Sequence, residues 1–168
     1  MKAIVYTTNT GSTAHYAELL GHEIGLPVFS LDEAKHTIPD GTKIIYLGWV
    51  MAGKVKGYEK AAKRYHAMAV CAVGMGITEI PTGPVRQKSN VPSSTPLFNL
   101  QGNFDLKKLH GAYRLMMRLM VETAGKKLAA KVDRSPAEED MLDMMLHGEN
   151  RVSVDQLKAV LDWYSAQA

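Results

Sequence analysis

Residues 3–25 read AIVYTTNTGSTAHYAELLGHEIG, and three kinds of segment follow one another within them. Ala3 to Thr7 is a short β-branched and aromatic run that stops at hydroxyl residues and glycine, which predicts a buried strand. From Thr13 the apolar positions Tyr16, Leu19, Leu20 and Ile24 recur at helical spacing, and Gly25 followed by Pro27 supplies the stop. The stretch is strand, tight loop, helix. The loop, Thr8, Asn9, Thr10, Gly11, Ser12 and Thr13, offers four hydroxyls, one amide and one glycine in six positions. A phosphate monoester needs many donors converging on its oxygens. Main-chain N–H groups at a helix N-terminus provide them, the helix dipole favours the charge, and Ser/Thr hydroxyls add donors without bulk. Gly11 lets the backbone turn tightly round an anion. No Lys or Arg occurs between Ala3 and Lys35, so an anion held here is held by dipoles and hydroxyls. Capping a helix needs one hydroxyl and this loop has four, which favours a phosphate site over an ordinary turn.

Outward from this stretch the alternation continues. LPVFSL, residues 26–31, reads as a second strand, and Ser30 with Glu33 has capping-box spacing. Asp40-Gly41 marks a turn, and KIIYLGWV from Lys43 starts a third strand expected to end near Gly48. A basic amphipathic helix is expected from Gly57 to His66, then a fourth strand, AMAVCAVGM, from Ala67 to Met75, apolar enough to be buried on both faces. Ile77 to Thr95, with Pro81, Pro84 and Pro92, reads as a 19-residue loop. TPLFNLQG, residues 95–102, gives a fifth strand, followed by a helix from Asp105 to Gly125 carrying Leu106, Leu109, Tyr113, Met116, Met117 and Met120 on one side. Six of the ten methionines fall between Met116 and Met145, a stripe expected to fill core rather than form a binding surface. Ser135-Pro136-Ala137-Glu138 opens a helix ending near Gly148, and Ser153 to Gln156 repeats the capping spacing before a last helix through Trp163. Short apolar strands alternating with helices imply an α/β fold, a doubly wound parallel sheet of five strands with helices on both faces. Residues 1–168 are expected to form one domain, with 135–168 as a C-terminal helical segment. In such folds ligands lie at the carboxyl ends of the strands where strand order reverses, so the loops after Thr7, Gly48 and Gly74 are the ones that matter.

Composition narrows the partners. Of 168 residues, 46% are hydrophobic and 22% charged, with net charge +3, an ordinary globular balance. The longest nearly uninterrupted apolar run, Ala67 to Ile77, has 11 residues, too short for an integral membrane segment. The single cysteine, Cys71, permits no intrachain disulfide, and a reducing cytoplasmic location is expected; MKAIVYTTNTG has no secretory pattern. From Lys107 to Arg134 eight basic residues face two acids, and from Ser135 onward seven acids face two basic residues. Two solvated surfaces, opposed to each other, are the preferred account; the basic one lacks the interleaved aromatics of a nucleic-acid site, so no nucleic-acid partner is expected.

VYTTNTGSTAHYAELL resembles the opening of flavodoxins, whose Ser/Thr-x-Thr-Gly-x-Thr loop is met by Thr8, Thr10, Gly11 and Thr13. The resemblance continues through YLGWVMAGKVKGY, residues 46–58, and VCAVGMG, residues 70–76, which look most like the branch that includes oxygen-independent protoporphyrinogen dehydrogenases. The resemblance implies a flavodoxin-like sheet of strand order 2-1-3-4-5, with flavin mononucleotide (FMN) as the cofactor and its phosphate in the Thr8 to Thr13 loop. It also implies that Trp49, Val50, Met51, Ala52 and Gly53, and Gly74, Met75 and Gly76, flank the flavin ring. Gly48 or Gly53 is a candidate for a peptide flip near the ring. Trp49 either stacks on the ring or fills core, and Lys54 is either a solvated lysine or a counter-charge to the reduced ring. The chain is basic where many flavodoxin carriers are acidic, and GMGITEIPTG lacks the family's aromatic after the fourth strand.

The expected function is therefore electron transfer or oxidoreduction, by a carrier with a redox partner protein or by an FMN-dependent oxidoreductase acting on a quinone-like or porphyrinogen-like substrate. A flavodoxin-fold interaction module without flavin is the alternative from another class. Gly48 to Lys54 has P-loop spacing, but Val55 stands where Ser/Thr would bind magnesium, and Trp, Val and Met crowd the loop. Gly74-Met75-Gly76 has Glu79 where a dinucleotide fingerprint needs its third glycine. The six histidines show no metal-ligand spacing, no catalytic triad is evident around Ser12, and Cys71 inside an apolar strand reads as packing.

Overall fold

The computed structural model describes residues 1–75, 81–103, 111–148 and 150–167, with Tyr113 described by its backbone alone. Strands β1 (Ala3–Thr7), β2 (Val28–Ser30), β3 (Lys43–Met51), β5 (His66–Gly74) and β6 (Leu97–Gln101) form a parallel sheet in the order β2-β1-β3-β5-β6. A two-residue strand, β4 (Lys54–Val55), pairs antiparallel with the end of β3. Without this arm the order is the 2-1-3-4-5 of a flavodoxin-like fold, and it reverses between β1 and β3.

Helices cover both faces, and the alternation of side chains along each strand decides what each face holds. Ala3, Val5, Ile44, Tyr46, Val70 and Ala72 point to the face covered by α2 (Leu31–Thr37), α3 (Tyr58–Ala62) and α4 (Gly83–Ser89). Ile4, Ile45, Leu47, Ala69, Cys71 and Val73 point to the other, covered by α1 (Ser12–Ile24) and α8 (Lys158–Ser165). β1, β3 and β5 are buried on both sides, as continuous apolar runs in a parallel sheet must be.

Several ends follow the sequence signals. Ser30 accepts from the Glu33 amide and Glu33 from the Ser30 amide, and Ser135 with Glu138 does the same at the start of α7 (Pro136–His147). Gly25 and Gly148 end α1 and α7 in the left-handed conformation.

Other expectations are corrected. Part of the expected loop from Ile77 to Thr95 is helix: Pro84 sits in the first turn of α4 and Asn90, at φ 55°, stops it. Arg86 Nη1 then closes the following turn on the carbonyls of Pro92 and Thr95, the latter at 2.8 Å. Helix α3 is shorter than the expected Gly57 to His66, because His66 already belongs to β5. The last helix does not start with a capping box: Ser153 makes no side-chain cap bond, and a 3₁₀ turn, Val154–Leu157, precedes α8.

The methionine stripe is core only in part: Met144 and Met145 are buried, Met117, Met120 and Met141 half-buried, and Met116 exposed. Helix α5 (Gly111–Met120) continues through a π-helical turn, Val121–Gly125, into α6 (Lys126–Ala130). Leu115, Met116 and Leu119 are 63%, 40% and 53% exposed, whereas Met144 and Met145 of α7 are buried. A helical period states only that an apolar face exists. The expected start of that helix at Asp105, with Leu106 and Leu109, lies outside the described residues. The opposed charges partly pair where the segments meet: Lys131 Nζ lies 2.6 Å from the Glu138 carboxylate.

The C-terminal helices are fastened to the sheet by polar contacts as well as packing. Tyr16 Oη, on α1, donates to the Gln101 carbonyl at 2.6 Å, and the Gln101 amide donates to Gln156 Oε1 at 2.9 Å. Leu157 and Val160 are fully buried among Tyr16, Leu20 and Leu100.

Candidate functional site

At the carboxyl end of β1 the side chain of Thr7 meets Tyr46 of β3. Thr7 Oγ1 and Tyr46 Oη lie 2.9 Å apart, and each is 2.7 Å from the Lys56 carbonyl. Two hydroxyl protons thus serve three short contacts, pinning the chain after β4 to the strand ends on both sides of the switch point. Burial with no countercharge pushes the Tyr46 phenol far above its ordinary value, so it stays a proton donor.

The segment Trp49 to Gly53 is not the loop expected after Gly48. β3 continues to Met51, turns at Ala52 (φ 52°) and Gly53 (φ 76°), and returns as β4. Two successive positive φ angles match the right-handed twist of a tight hairpin, although Ala is a costly residue there. Lys88 Nζ donates to the Ala52 carbonyl at 3.2 Å. Gly48 does not end the strand. It makes room for the hairpin, since a Cβ there would sit 2.5 Å from Val55 Cγ1 and 2.7 Å from the Lys56 carbonyl. The P-loop reading fails on the same geometry, because a β-hairpin cannot wrap a phosphate as a loop does.

The hydroxyl loop leaves β1 at the switch point and enters α1 through Gly11, whose φ is 96° and whose Cβ position faces open space. Its hydroxyls divide by role. Thr8 Oγ1 accepts from the Gly11 amide at 3.1 Å. Ser12 is buried; its Oγ donates to Asn103 Oδ1 at 2.8 Å and accepts from the Asn103 amide at 3.1 Å, tying this loop to the end of β6. Thr13 is also buried, Thr10 is half-buried, and Asn9 is exposed. The first turn of α1 adds N–H groups that have no acceptor within the helix. Gly74 ends β5, its carbonyl accepting from the Gly102 amide at 2.7 Å, and Met75 follows, half-buried. Gly76 lies outside the described residues.

A cavity of about 570 Å³ opens over the carboxyl ends of β1, β2 and β3. Tyr6, Thr7 and Thr8 line it from β1, and Ser30, Leu31, Asp32 and Lys35 from the β2–α2 junction. The hairpin contributes Trp49, Lys54, Val55 and Lys56, and the start of α3 contributes Gly57, Glu59 and Lys60. Lys54 pairs with Glu59 at 2.7 Å, and Lys35 pairs with Asp32. The ammonium groups hold both carboxyls below their ordinary range: Lys35 first, then Lys60 at longer reach, for Asp32, and Lys54 for Glu59. Lys56 and Lys60 have no carboxylate within ion-pair distance among the described residues. The cavity wall is therefore net positive.

Of the residues expected at the site, the structure brings Thr8 and Trp49 into this cavity. Lys54 is not simply solvated, since Glu59 holds it. Sequence reasoning missed Tyr6, Asp32, Lys35, Lys56 and Lys60. Their signal was position: the end of β2 borders the same switch point, so its first helical residues belong to the same cleft. Cys71 is buried and burial pushes its thiol up to about 12, in keeping with packing. Among the described residues no group of His, Cys, Asp or Glu has the arrangement of a metal site, and no helix is long and apolar enough to cross a membrane. The chain matches no protein-family model and no curated protein.

Proposed function

We propose that this chain is a flavodoxin-like protein that binds FMN noncovalently and takes part in electron transfer or oxidoreduction. The observation that carries the reading is the loop Thr8 to Thr13, which leaves a central strand where strand order reverses and enters a 13-residue helix through a left-handed glycine. The donor set suits a phosphate monoester: first-turn amides, the Thr10 hydroxyl and the Asn9 amide, with the space before Gly11 left clear. Ser12 holds the loop in shape from beneath through Asn103, and Thr13 is buried beside it. The hairpin from Trp49 to Gly53 and the strand end at Gly74 and Met75 offer walls to a flat ring. When bound, the flavin supplies the redox chemistry. The chain orients it, excludes water on the sheet side and sets the charge around it.

The test is the visible spectrum of the purified protein, then titration of apoprotein with FMN while flavin fluorescence is followed. Saturable quenching, weakened about tenfold by Thr10→Ala with the fold unchanged, is the expected result. A folded sample with no bound flavin and no saturable quenching overturns the reading. One observation favours a second reading, an interaction module without flavin. Leu115, Met116 and Leu119 lie exposed on α5 beside Arg114 and Arg118, a larger apolar surface than a solvated helix needs.

A further inference from the structure

We infer that the cleft between the β2–α2 junction and the β3–β4 hairpin binds an adenosine diphosphate group, as a free nucleotide or as half of a dinucleotide. The cleft is separate from the Thr10 side of the hydroxyl loop and meets it only at Thr8. Three features of its wall fit the three parts of that group. Lys56 and Lys60, whose ammonium groups have no carboxylate within ion-pair distance among the described residues, suit the diphosphate. Asp32 lies in the first turn of α2, two residues past the end of β2 and about 20 residues beyond the first loop, close to where dinucleotide-binding α/β folds use an acidic side chain to accept from a ribose hydroxyl. Tyr6 gives a flat surface for the base.

The charges also discriminate. A neutral aromatic would leave the lysine ammonium groups uncompensated, and a bare phosphate would use neither the aromatic wall nor Asp32. Lys35 stands beside Asp32, so an additional phosphate on the ribose would meet a cation there rather than a lone carboxylate. The cavity, at about 570 Å³, lies within the usual range of small-molecule sites, roughly 300 to 1,000 Å³.

The inference does not depend on flavin binding, and its test keeps the two apart. The full chain is titrated by calorimetry with ADP, AMP, inorganic phosphate and a nicotinamide dinucleotide. The expected pattern is saturable ADP binding, weaker AMP, and no measurable phosphate binding in the same range. Tighter binding of the dinucleotide than of ADP assigns the group to half of a dinucleotide, and equal or weaker binding assigns it to the free nucleotide. Lys56→Ala with Lys60→Ala should weaken ADP by about tenfold or more. Asp32→Ala should erase any preference for ADP over its 2′-deoxy analogue. Circular dichroism confirms folding, and FMN quenching should be unchanged in the lysine variant. Absence of ADP binding, ADP binding indifferent to the lysines, or phosphate binding as tight as ADP each overturns the inference. So does an equal loss of FMN in the lysine variant with direct competition between FMN and ADP, which would make the cleft part of the flavin site.

Discussion

Gly57→Ala should damage the protein more than any ordinary glycine replacement in a turn. Gly57 has φ 80°, and a Cβ there would lie 2.3 Å from Tyr46 Oη and 2.6 Å from Thr7 Cγ2. Holding an L-residue in the left-handed region costs about 1–2 kcal/mol, and forcing a methyl into filled space costs about 1–3 kcal/mol more. The hydroxyl contacts on the Lys56 carbonyl must also give way, since the tyrosine oxygen is the nearest atom. Gly25→Ala is the control: its φ is 65° but nothing lies within 4 Å of the added carbon, so it carries the backbone cost alone. With an unfolding slope of roughly 2 kcal/mol per molar urea, the control should lower the urea midpoint by about 0.5–1 M and Gly57→Ala by about 1–2.5 M. A double-mutant cycle sharpens the result. Tyr46→Phe removes the oxygen of the closest contact, so Gly57→Ala should cost less in that background, with the remaining cost set by Thr7. Equal midpoints for Gly57→Ala and Gly25→Ala, or strict additivity with Tyr46→Phe, would refute the account of Gly57 as the pivot of the switch-point network.

Two further outcomes follow from the titrating groups. Cys71 should not react with an aromatic disulfide reagent at pH 8 until the protein is unfolded, because burial pushes its thiol to about 12; rapid reaction of the native protein would contradict its packing. Asp32, Glu33, Glu59 and Glu138 have carboxyls lowered by their lysine and capping partners, so their stabilisation is complete above the ordinary carboxylate values. It declines as pH falls below those values and is gone once pH passes the lowered ones. The urea midpoint should drop on acidification in that window, and less steeply in Glu59→Gln with Glu138→Gln.

The strand–loop–helix opening, the capping boxes at Ser30 and Ser135, and the buried strands expected from Lys43 and Ala67 were legible, the second to within one residue, because each depends on neighbours in sequence. The hairpin was not. Its turn puts Ala52 at φ 52°, which no local preference announces, and Gly48, which resembles a strand end, serves the approach of Val55 and Lys56 instead. In the proline-rich stretch, Pro84 was a first-turn residue and not a loop marker. Of the candidate site, the loop's position was readable, but the division of its hydroxyls was not. Ser12 is occupied by Asn103, a partner 91 residues away. The lysines of the cleft escaped because each is unremarkable alone; only the topology collects them.

The fastening of the tail to α1 bears on how the chain folds during synthesis. Tyr16 waits for the carbonyl of Gln101 and, at 3.3 Å, for that of Arg151, 135 residues later. Leu157 and Val160 complete the same apolar layer. A growing chain can assemble its sheet and the α2–α4 side while the α1 side still exposes Tyr16 and Leu20. That half-finished layer is the surface a chaperone would meet, and its closure, a contact of high sequence separation, is the step most open to aggregation.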